Sequence, residues 1–453
     1  MDTQKLAYIE TFGCQMNERD SEIMGQLLLQ VNYLPTNDVK QADLVLINTC
    51  SIRHKAEQKV YSLLGRLKKL KKDNPSLIIT VAGCVAQQEG KKLPGRMEQV
   101  DIVLGTQNIY NLPDLISRRV KSGKPQVAID LLPSFAIPAY TPPSPASDSC
   151  QETGRREFRK FVTIMQGCNN YCTYCVVPYT RGREVSRPVE DIMSEITDLA
   201  EQGITEVTLL GQNVNSYGQT FNNSDPNKSS FPALLRSVAE IKGIQRIRFT
   251  TSHPKDLSEE LMQCFAEIDK LCPHFHLPVQ SGANRILKKM NRKYTIETYL
   301  AKVEALQQIC PGIAITTDII VGFPGETDED FEATMQLLEK VRFHGAFSFK
   351  YSDRPLAIST AYGDKVEEEI KSARLFSLQT RQDEINLERN SEYIGSCQEV
   401  MVEGRSKNAD GQWSGRTRTN HIVNFPAADL QPGQLVTVQI LEGLLHSLRG
   451  KMV

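Results

Sequence analysis

Three short apolar runs end in cysteine at nearly equal spacing, and this repeat constrains the fold more than any other feature of the chain. Leu6–Cys14 (LAYIETFGC), Ala42–Cys50 (ADLVLINTC) and Leu77–Cys84 (LIITVAGC) are rich in β-branched residues, and their cysteines lie 36 and 34 residues apart. Such runs read as buried parallel strands. Between them lie helical segments, Asn17–Gln30 and Ile52–Lys71. Strand–helix–strand–helix alternation implies an open parallel α/β sheet with helices on its faces. Ligands of such sheets bind beyond the carboxyl ends of the strands. Cys14, Cys50 and Cys84 are therefore expected to meet at one sheet edge.

Composition narrows the class. At 453 residues the chain has room for about three domains. Its 53 Lys+Arg against 54 Asp+Glu leave a formal charge of -1, so any contact with nucleic acid has to come from local basic patches. No apolar run is long enough to span a bilayer, and the start MDTQKLAYIE has neither a basic nor an apolar leader region. A cytoplasmic protein without membrane contact is expected. Eleven cysteines in a reducing compartment are more often metal ligands or redox groups than disulfides.

Residues 133–156, rich in Pro, Ser and Ala, read as an extended linker in which Cys150 is an incidental exposed thiol. From Phe158 the alternation resumes with six strand-like runs: one ending at Cys168, then Glu206–Val214, Gln245–Pro254, His274–Gly282, Ala314–Gly325 and Gly345–Ser352. Six units are too few for a closed eightfold barrel and suit a partial (β/α)6 barrel with its functional groups on the loops after the strands. Polar and glycine residues collect on those loops, at Gly211-Gln212-Asn213, Gln280-Ser281-Gly282 and Gly322–Glu326. A charged helical stretch, Lys365–Tyr393, precedes short strands from Gly395 onward that read as a small β-barrel. The expected division is an N-terminal domain over 1–132, the linker over 133–156, the partial barrel over 157–360, a helical connection over 361–394 and the small β-barrel over 395–453.

The strongest local signal is Cys168, Cys172 and Cys175, a CxxxCxxC directly after a strand. Three thiolates on a tight loop suit an iron–sulfur cluster. They would leave the fourth iron of a cubane open to a substrate or cofactor. A structural zinc site usually has four ligands, often from two CxxC pairs, and the chain has no second CxxC.

This loop resembles that of the radical S-adenosylmethionine enzymes. The resemblance implies that S-adenosylmethionine binds the open iron and is cleaved by one-electron reduction to a 5′-deoxyadenosyl radical. Tyr174 matches the aromatic position that usually lies against the adenine; its plainer reading is a packing ring. The resemblance extends to TFGCQMN (Thr11–Asn17), NTCSIR (Asn48–Arg53) and Ala82–Cys84, which are similar to the auxiliary-cluster domain of the methylthiotransferases. GCNNYCTYCVVPYTRGRE (Gly167–Glu184), LLGQNVNSY (Leu209–Tyr217), LPVQSG (Leu277–Gly282) and TDIIVGFPGET (Thr317–Thr327) match as well. GRTRTNHIVNF (Gly415–Phe425) and Ser447–Gly450 resemble the family's TRAM domain.

What the resemblance implies is specific. Two 4Fe–4S clusters are expected, an auxiliary one on Cys14, Cys50 and Cys84 and one binding S-adenosylmethionine on Cys168, Cys172 and Cys175. TFGCQMN, VVPYTRGRE and GQNVNSY are most similar to the members that convert N6-isopentenyladenosine beside the tRNA anticodon to its 2-methylthio form. One S-adenosylmethionine would supply a methyl group to sulfur on the auxiliary cluster; another would supply the radical that takes hydrogen from C2 of the adenine. Threonylcarbamoyl-adenosine or a ribosomal-protein aspartate is the alternative substrate. A non-catalytic iron–sulfur RNA-binding redox sensor is the alternative from another class.

No catalytic group beyond the clusters is expected. Tyr174, Gln212, Asn213, Gln280, Ser281, Arg292, Asp318 and Gly322 are the candidate cofactor contacts. The family's GxIxGxxE pattern is altered here: Asp318 stands in the first glycine position and Glu326 falls one place late. Arg181 and Arg183, with Arg416 and Arg418 near Arg405, Lys407 and Trp413, are the candidate RNA contacts, since basic groups interleaved with an aromatic suit phosphates and splayed bases. The expected partners are the tRNA anticodon loop and a one-electron reductant, and the chain is expected to act as a monomer. His253, His274 and His276 read as pocket-lining or backbone-bonding groups, and Cys264, Cys272, Cys310 and Cys397 as core or incidental thiols.

Overall fold

A computed structural model of the chain describes residues 4–51, 54–132, 135–140, 157–221, 229–406 and 411–453. Cys150, most of the expected linker and Lys407 lie outside the described residues. Packing groups the chain into two units. The first comprises Met1–Thr153, Gln166–Asn169 and Val176–Val185; the second comprises Gly154–Met165, Asn170–Cys175 and Ser186–Val453.

The first unit is built on β1 (Lys5–Thr11), β2 (Tyr33–Pro35), β3 (Leu44–Thr49), β4 (Ile78–Gly83), β5 (Ile102–Leu104) and β6 (Gln126–Ala128). They form one parallel sheet in the order β2-β1-β3-β4-β5-β6. The run LVLINT of β3 is wholly buried because both sheet faces are covered. Leu44 and Leu46 pack with Met24, Leu28 and Leu115 from the helices Gln15–Gln30 and Leu112–Ser122. Val45 and Ile47 pack with Val60, Leu64 and Leu67 from the helix His54–Asp73 on the other side. β2, β5 and β6, three residues each, were not among the expected strands. The order reverses between β1 and β3, the crevice where open α/β sheets hold their ligands. Cys14 follows β1, Cys50 follows β3 and Cys84 follows β4.

The second unit carries β7 (Arg159–Thr163), and the two-residue strands β8 (Met165–Gln166) and β9 (Val185–Ser186) stand on either side of the CxxxCxxC loop in sequence. β10 (Glu206–Leu210), β11 (Arg246–Thr250), β12 (His274–His276), β13 (Ala314–Val321) and β14 (Gly345–Lys350) follow. They make two parallel three-stranded sheets, β11-β10-β7 and β12-β13-β14, and a parallel bridge between Ile247 and Leu271 connects the sequence. Six strands in chain order make the expected partial barrel. Helices such as Val189–Glu201, Ile296–Ile309 and Asp328–Val341 cover its outside, and their apolar faces share one core with the strands.

After the helix Glu368–Ser391, strands β15 (Cys397–Arg405), β16 (Gln412–Thr417), β17 (Ile422–Pro426), β18 (Leu435–Gly443) and β19 (Leu448–Met452) close a barrel in the order β15-β16-β17-β19-β18. Val400, Val402, Trp413, Val423, Phe425, Val438, Ile440 and Leu448 fill it. By packing, this barrel shares the second unit. The reason lies in two buried arginines. Arg246 donates to the carbonyl of Arg416 (2.8 Å) and to Glu399 (2.8 Å). Arg248 donates to the carbonyls of Thr417 (2.9 Å) and Arg418 (3.1 Å) and to the Glu206 carboxylate (3.1 Å). No helix of the described residues is long and apolar enough to cross a membrane.

Candidate active site

The first thiol set is assembled by backbone that only glycine allows. Gly13 and Gly83 both have positive φ (+122° and +90°) and precede Cys14 and Cys84. A Cβ on Gly13 would lie 2.3 Å from Cys50 Cβ, and one on Gly83 would lie 2.4 Å from the Thr49 carbonyl. The three cysteine-bearing turns therefore touch because two of them carry no side chain at the contact.

Asn17 and Thr49 lock that arrangement. The Asn17 amide donates to the carbonyls of Phe12 (2.8 Å) and Thr49 (2.9 Å), the residues leading into Cys14 and Cys50. Its Oδ1 accepts from the Cys14 thiol at 3.9 Å. Thr49 Oγ1 donates to the Ala82 carbonyl (2.6 Å) and accepts from Val85 N–H (3.1 Å), fixing the turn that holds Cys84. Asn48 donates to Asn17 O (2.8 Å) and Ser21 Oγ (3.0 Å).

The same unit places a buried guanidinium beside these thiols. Arg181 is 3% exposed; its Nη2 donates to Asp20 Oδ2 (2.7 Å) and Asn17 Oδ1 (3.0 Å). Its backbone is pinned within the first unit, by Thr106 donating to Thr180 O (2.5 Å) and Gln107 donating to Arg181 O (3.2 Å). The Cys14 thiol is lowered to about 6, first by its hydrogen bond with Cys50 and then, against the opposing effect of burial, by the Arg181 charge. Burial pushes the Cys84 thiol up, and Arg181 partly offsets that rise. Burial works against the Arg181 charge itself, yet Asp20, Cys84 and Cys14 together raise its affinity for the proton.

This donor set fits an iron–sulfur cluster. Soft thiols stand at the strand ends beside a fixed positive charge, and a cluster held by thiolates is an anion. Among the described residues no three His, Cys, Asp or Glu side chains close on one metal ion. Thiolates of a cluster do not need to, since each binds a different iron. Two buried polar atoms point to an additional partner: Arg181 Nη1 and Ser51 Oγ have no hydrogen-bond partner among the described residues.

The second set lies on the loop after β8. In the first unit, Cys168 N–H donates to Gly182 O (3.2 Å). In the second, Cys175 N–H donates to Cys172 O (2.9 Å), and Asn291 holds the loop by donating to Tyr171 O (2.9 Å). Arg292 is buried with its Nη1 3.4 Å from both Cys172 Sγ and Tyr174 Oη, while its Nη2 donates to Pro278 O (2.7 Å). Tyr294 accepts from Arg292 Nε (3.0 Å) and donates to Val279 O (2.7 Å). Burial raises the Tyr174 phenol well above its ordinary range, with the Arg292 charge opposing. A cation against the Cys172 sulfur suits the same kind of anionic cluster.

Models of three families match the chain: Uncharacterized protein family UPF0004 over residues 6–105, the Radical SAM superfamily over 162–338 and the TRAM domain over 391–453. The tRNA-2-methylthio-N(6)-dimethylallyladenosine synthase of Desulfotalea psychrophila is 56% identical over 99% of this chain and 99% of its own. The chain belongs to this synthase family. The synthase of Syntrophobacter fumaroxidans, 50% identical over 98% of this chain and 95% of its own, agrees. Among solved structures, the radical S-adenosylmethionine methyltransferase TsrM from Kitasatospora setae shares the fold at 13% identity (TM-score 0.55, 91% of this chain, 81% of that one). The cobalamin-dependent radical enzyme OxsB does so at 14% identity (TM-score 0.53, 85% and 62%).

Within a synthase of this family the remaining candidates divide clearly. Tyr174 and Arg292 meet at Cys172. Gln280, at φ +75°, donates its N–H to Asp318 O (2.9 Å), and the Asp318 carboxylate lies 3.4 Å from His276. Ser281 Oγ accepts from Ala283 N–H (3.2 Å), so it starts the following turn. Asn213 is 1% exposed and braces Asp256 (2.8 Å) and Ser216 (3.0 Å), while Gln212 beside it is half-buried. Gly322 N–H is already bonded to Glu326 (2.8 Å), whose carboxylate also accepts from Arg374 (2.8 Å). The displaced glutamate of the altered glycine motif thus ties its own loop to the helix Glu368–Ser391. His253 Nδ1 accepts from Lys255 N–H (3.2 Å), and His276 Nδ1 bonds Thr316 Oγ1 (3.0 Å).

Of the four RNA candidates, Arg181 is corrected, while Arg416 and Arg418 are half-buried and bonded within the protein. Arg181 has no exposed face for a phosphate, because Asp20 and Asn17 hold it inside the first unit. Arg418 gives its guanidinium to the carbonyls of Asp269 and Leu271, which fastens the small barrel. Arg416 is paired with Glu403 (3.0 Å) and donates to Asn420 O (3.1 Å). Arg183 is exposed. Asn17, Asp20, Asn48 and Thr49 were missed as site residues. The first, third and fourth lie within the motifs TFGCQMN and NTC, but Asp20 has no sequence mark linking it to Arg181.

Proposed function

We infer that this protein is a radical S-adenosylmethionine enzyme that converts N6-dimethylallyladenosine in tRNA to its 2-methylthio derivative. The observation that carries this is full-length likeness: 56% identity over 99% of both chains, with both three-cysteine sets in place. Its cofactors are S-adenosylmethionine and 4Fe–4S clusters. When bound, these groups supply the radical, the methyl group and the sulfur. The chain's own residues would hold and charge them: Cys14, Cys50 and Cys84 with Asn17 and Arg181 in one unit, and Cys168, Cys172 and Cys175 on the CxxxCxxC loop, with Arg292 against Cys172. Tyr174, fixed through Arg292, would lie beside the adenine of S-adenosylmethionine, and Gln212, Gln280 and Ser281 from the strand-end loops, with Asp318 from β13, would complete that pocket.

The finer reading includes the domain division 1–132, 157–360 and 395–453, a one-electron reductant, a monomer, a cytoplasmic location and a tRNA contact through exposed Arg183. A redox sensor without catalysis is disfavoured, since it has no need of a barrel that orients a second substrate. The test is anaerobic incubation with S-adenosylmethionine, dithionite and an anticodon stem-loop carrying the dimethylallyl group. The enzyme should yield 5′-deoxyadenosine and a 2-methylthio nucleoside, read by mass. Neither product would appear from a sensor.

A further inference from the structure

We propose that Arg181 is a positioning residue of the auxiliary site, donating a hydrogen bond from Nη1 to a sulfur atom there and holding a fixed positive charge against it. This rests on the assignment of Cys14, Cys50 and Cys84 to a cluster. The geometry is one-sided. Nη2 is taken by Asp20 and Asn17, whereas Nη1 is buried with no oxygen or nitrogen acceptor among the described residues, and the Cys84 thiol lies within hydrogen-bonding reach of the guanidinium. A buried guanidinium N–H left without an acceptor is costly, so native proteins rarely keep one without a partner in view. The groups around Arg181 are the Cys84 and Cys14 thiols and the Asp20 carboxylate. Asn17 links them, since its Oδ1 takes both Arg181 Nη2 (3.0 Å) and the Cys14 thiol (3.9 Å). Ser51 Oγ, next to Cys50 and likewise without a hydrogen-bond partner among the described residues, is a second donor on the same turn set.

The ligand chemistry is that of an anionic sulfur: a cluster sulfide, a ligating thiolate or a sulfur species carried by the cluster. Hydrogen bonds to sulfur and nearby charge are among the factors that set cluster potentials. Reduction adds negative charge, so a fixed cation favours the reduced state. Asp20 has the opposite sign and tempers that effect.

The test uses the full-length chain with Cys168, Cys172 and Cys175 replaced by Ala, reconstituted anaerobically so that only the auxiliary cluster is read. Iron and sulfide analysis comes first: if this parent binds no cluster, the thiol assignment has failed and this inference with it. Given a cluster, its midpoint potential is followed by electron paramagnetic resonance. Arg181→Gln should shift the potential negative, Arg181→Lys should fall between Gln and the parent, and Asp20→Asn should shift it positive. Unchanged potentials in cluster-loaded variants would overturn the proposal. So would loss of the cluster in all three variants, which would make Arg181 and Asp20 a structural pin alone.

Discussion

Gly13 decides whether the first thiol set can form. With φ at +122° and Cys50 Cβ only 2.3 Å from where a methyl would stand, Gly13→Ala has to push the turns of Cys14 and Cys50 apart. The expected outcome is loss of about half the bound iron and sulfide, since the CxxxCxxC loop is untouched. Full cluster content in that variant would show that the turns tolerate separation. The cysteines themselves were legible, because strand-end position and spacing are sequence properties. Arg181 was not. In VVPYTRGRE it sits among polar and glycine residues and reads as a surface cation; its acidic partner Asp20 is 161 positions away, a pairing that only the fold creates.

At the scale of elements, the buried arginines of β11 hold the small barrel. Arg248→Ala would strip three hydrogen bonds and leave Glu206 buried without its cation, which typically costs about 3–5 kcal/mol. Urea unfolding should show that loss, and amide exchange in β16 should speed up. Unfolding at the parent's midpoint would mean the barrel is held otherwise. In the first sheet, Leu46→Ala at a fully buried position between helices should cost about 2–5 kcal/mol. The long strands β1, β3 and β4 were legible as continuous apolar runs, and all six partial-barrel strands were found with their ends set too late. Each run continued into a loop such as Leu277–Gly282, whose first residues stay apolar and carry no mark of where pairing stops. Three-residue strands such as β5 are too short to show any period.

Across the whole molecule, the proposed function depends on two thiol sets that the chain builds by different means: one from three strand ends, one from a single loop. That organisation was legible because six cysteines mark it. The joining of the small barrel to the second unit was not, because Arg246 and Arg248 look like ordinary strand residues in QRIRFTT. Substrate choice belongs to this scale too. A dimethylallyl tail that buries about three carbons, at about 0.8 kcal/mol each, would favour the modified stem-loop on the order of fiftyfold. Turnover on stem-loops with and without the tail, at fixed salt, checks it; equal rates would remove the tail from recognition. The most direct measurement compares Cys50→Ala with Cys172→Ala on the modified stem-loop under dithionite, reading 5′-deoxyadenosine and 2-methylthio product together. The account predicts that Cys50→Ala still forms 5′-deoxyadenosine but no 2-methylthio product, whereas Cys172→Ala forms neither. A 2-methylthio product from Cys50→Ala, or 5′-deoxyadenosine from Cys172→Ala, would contradict it.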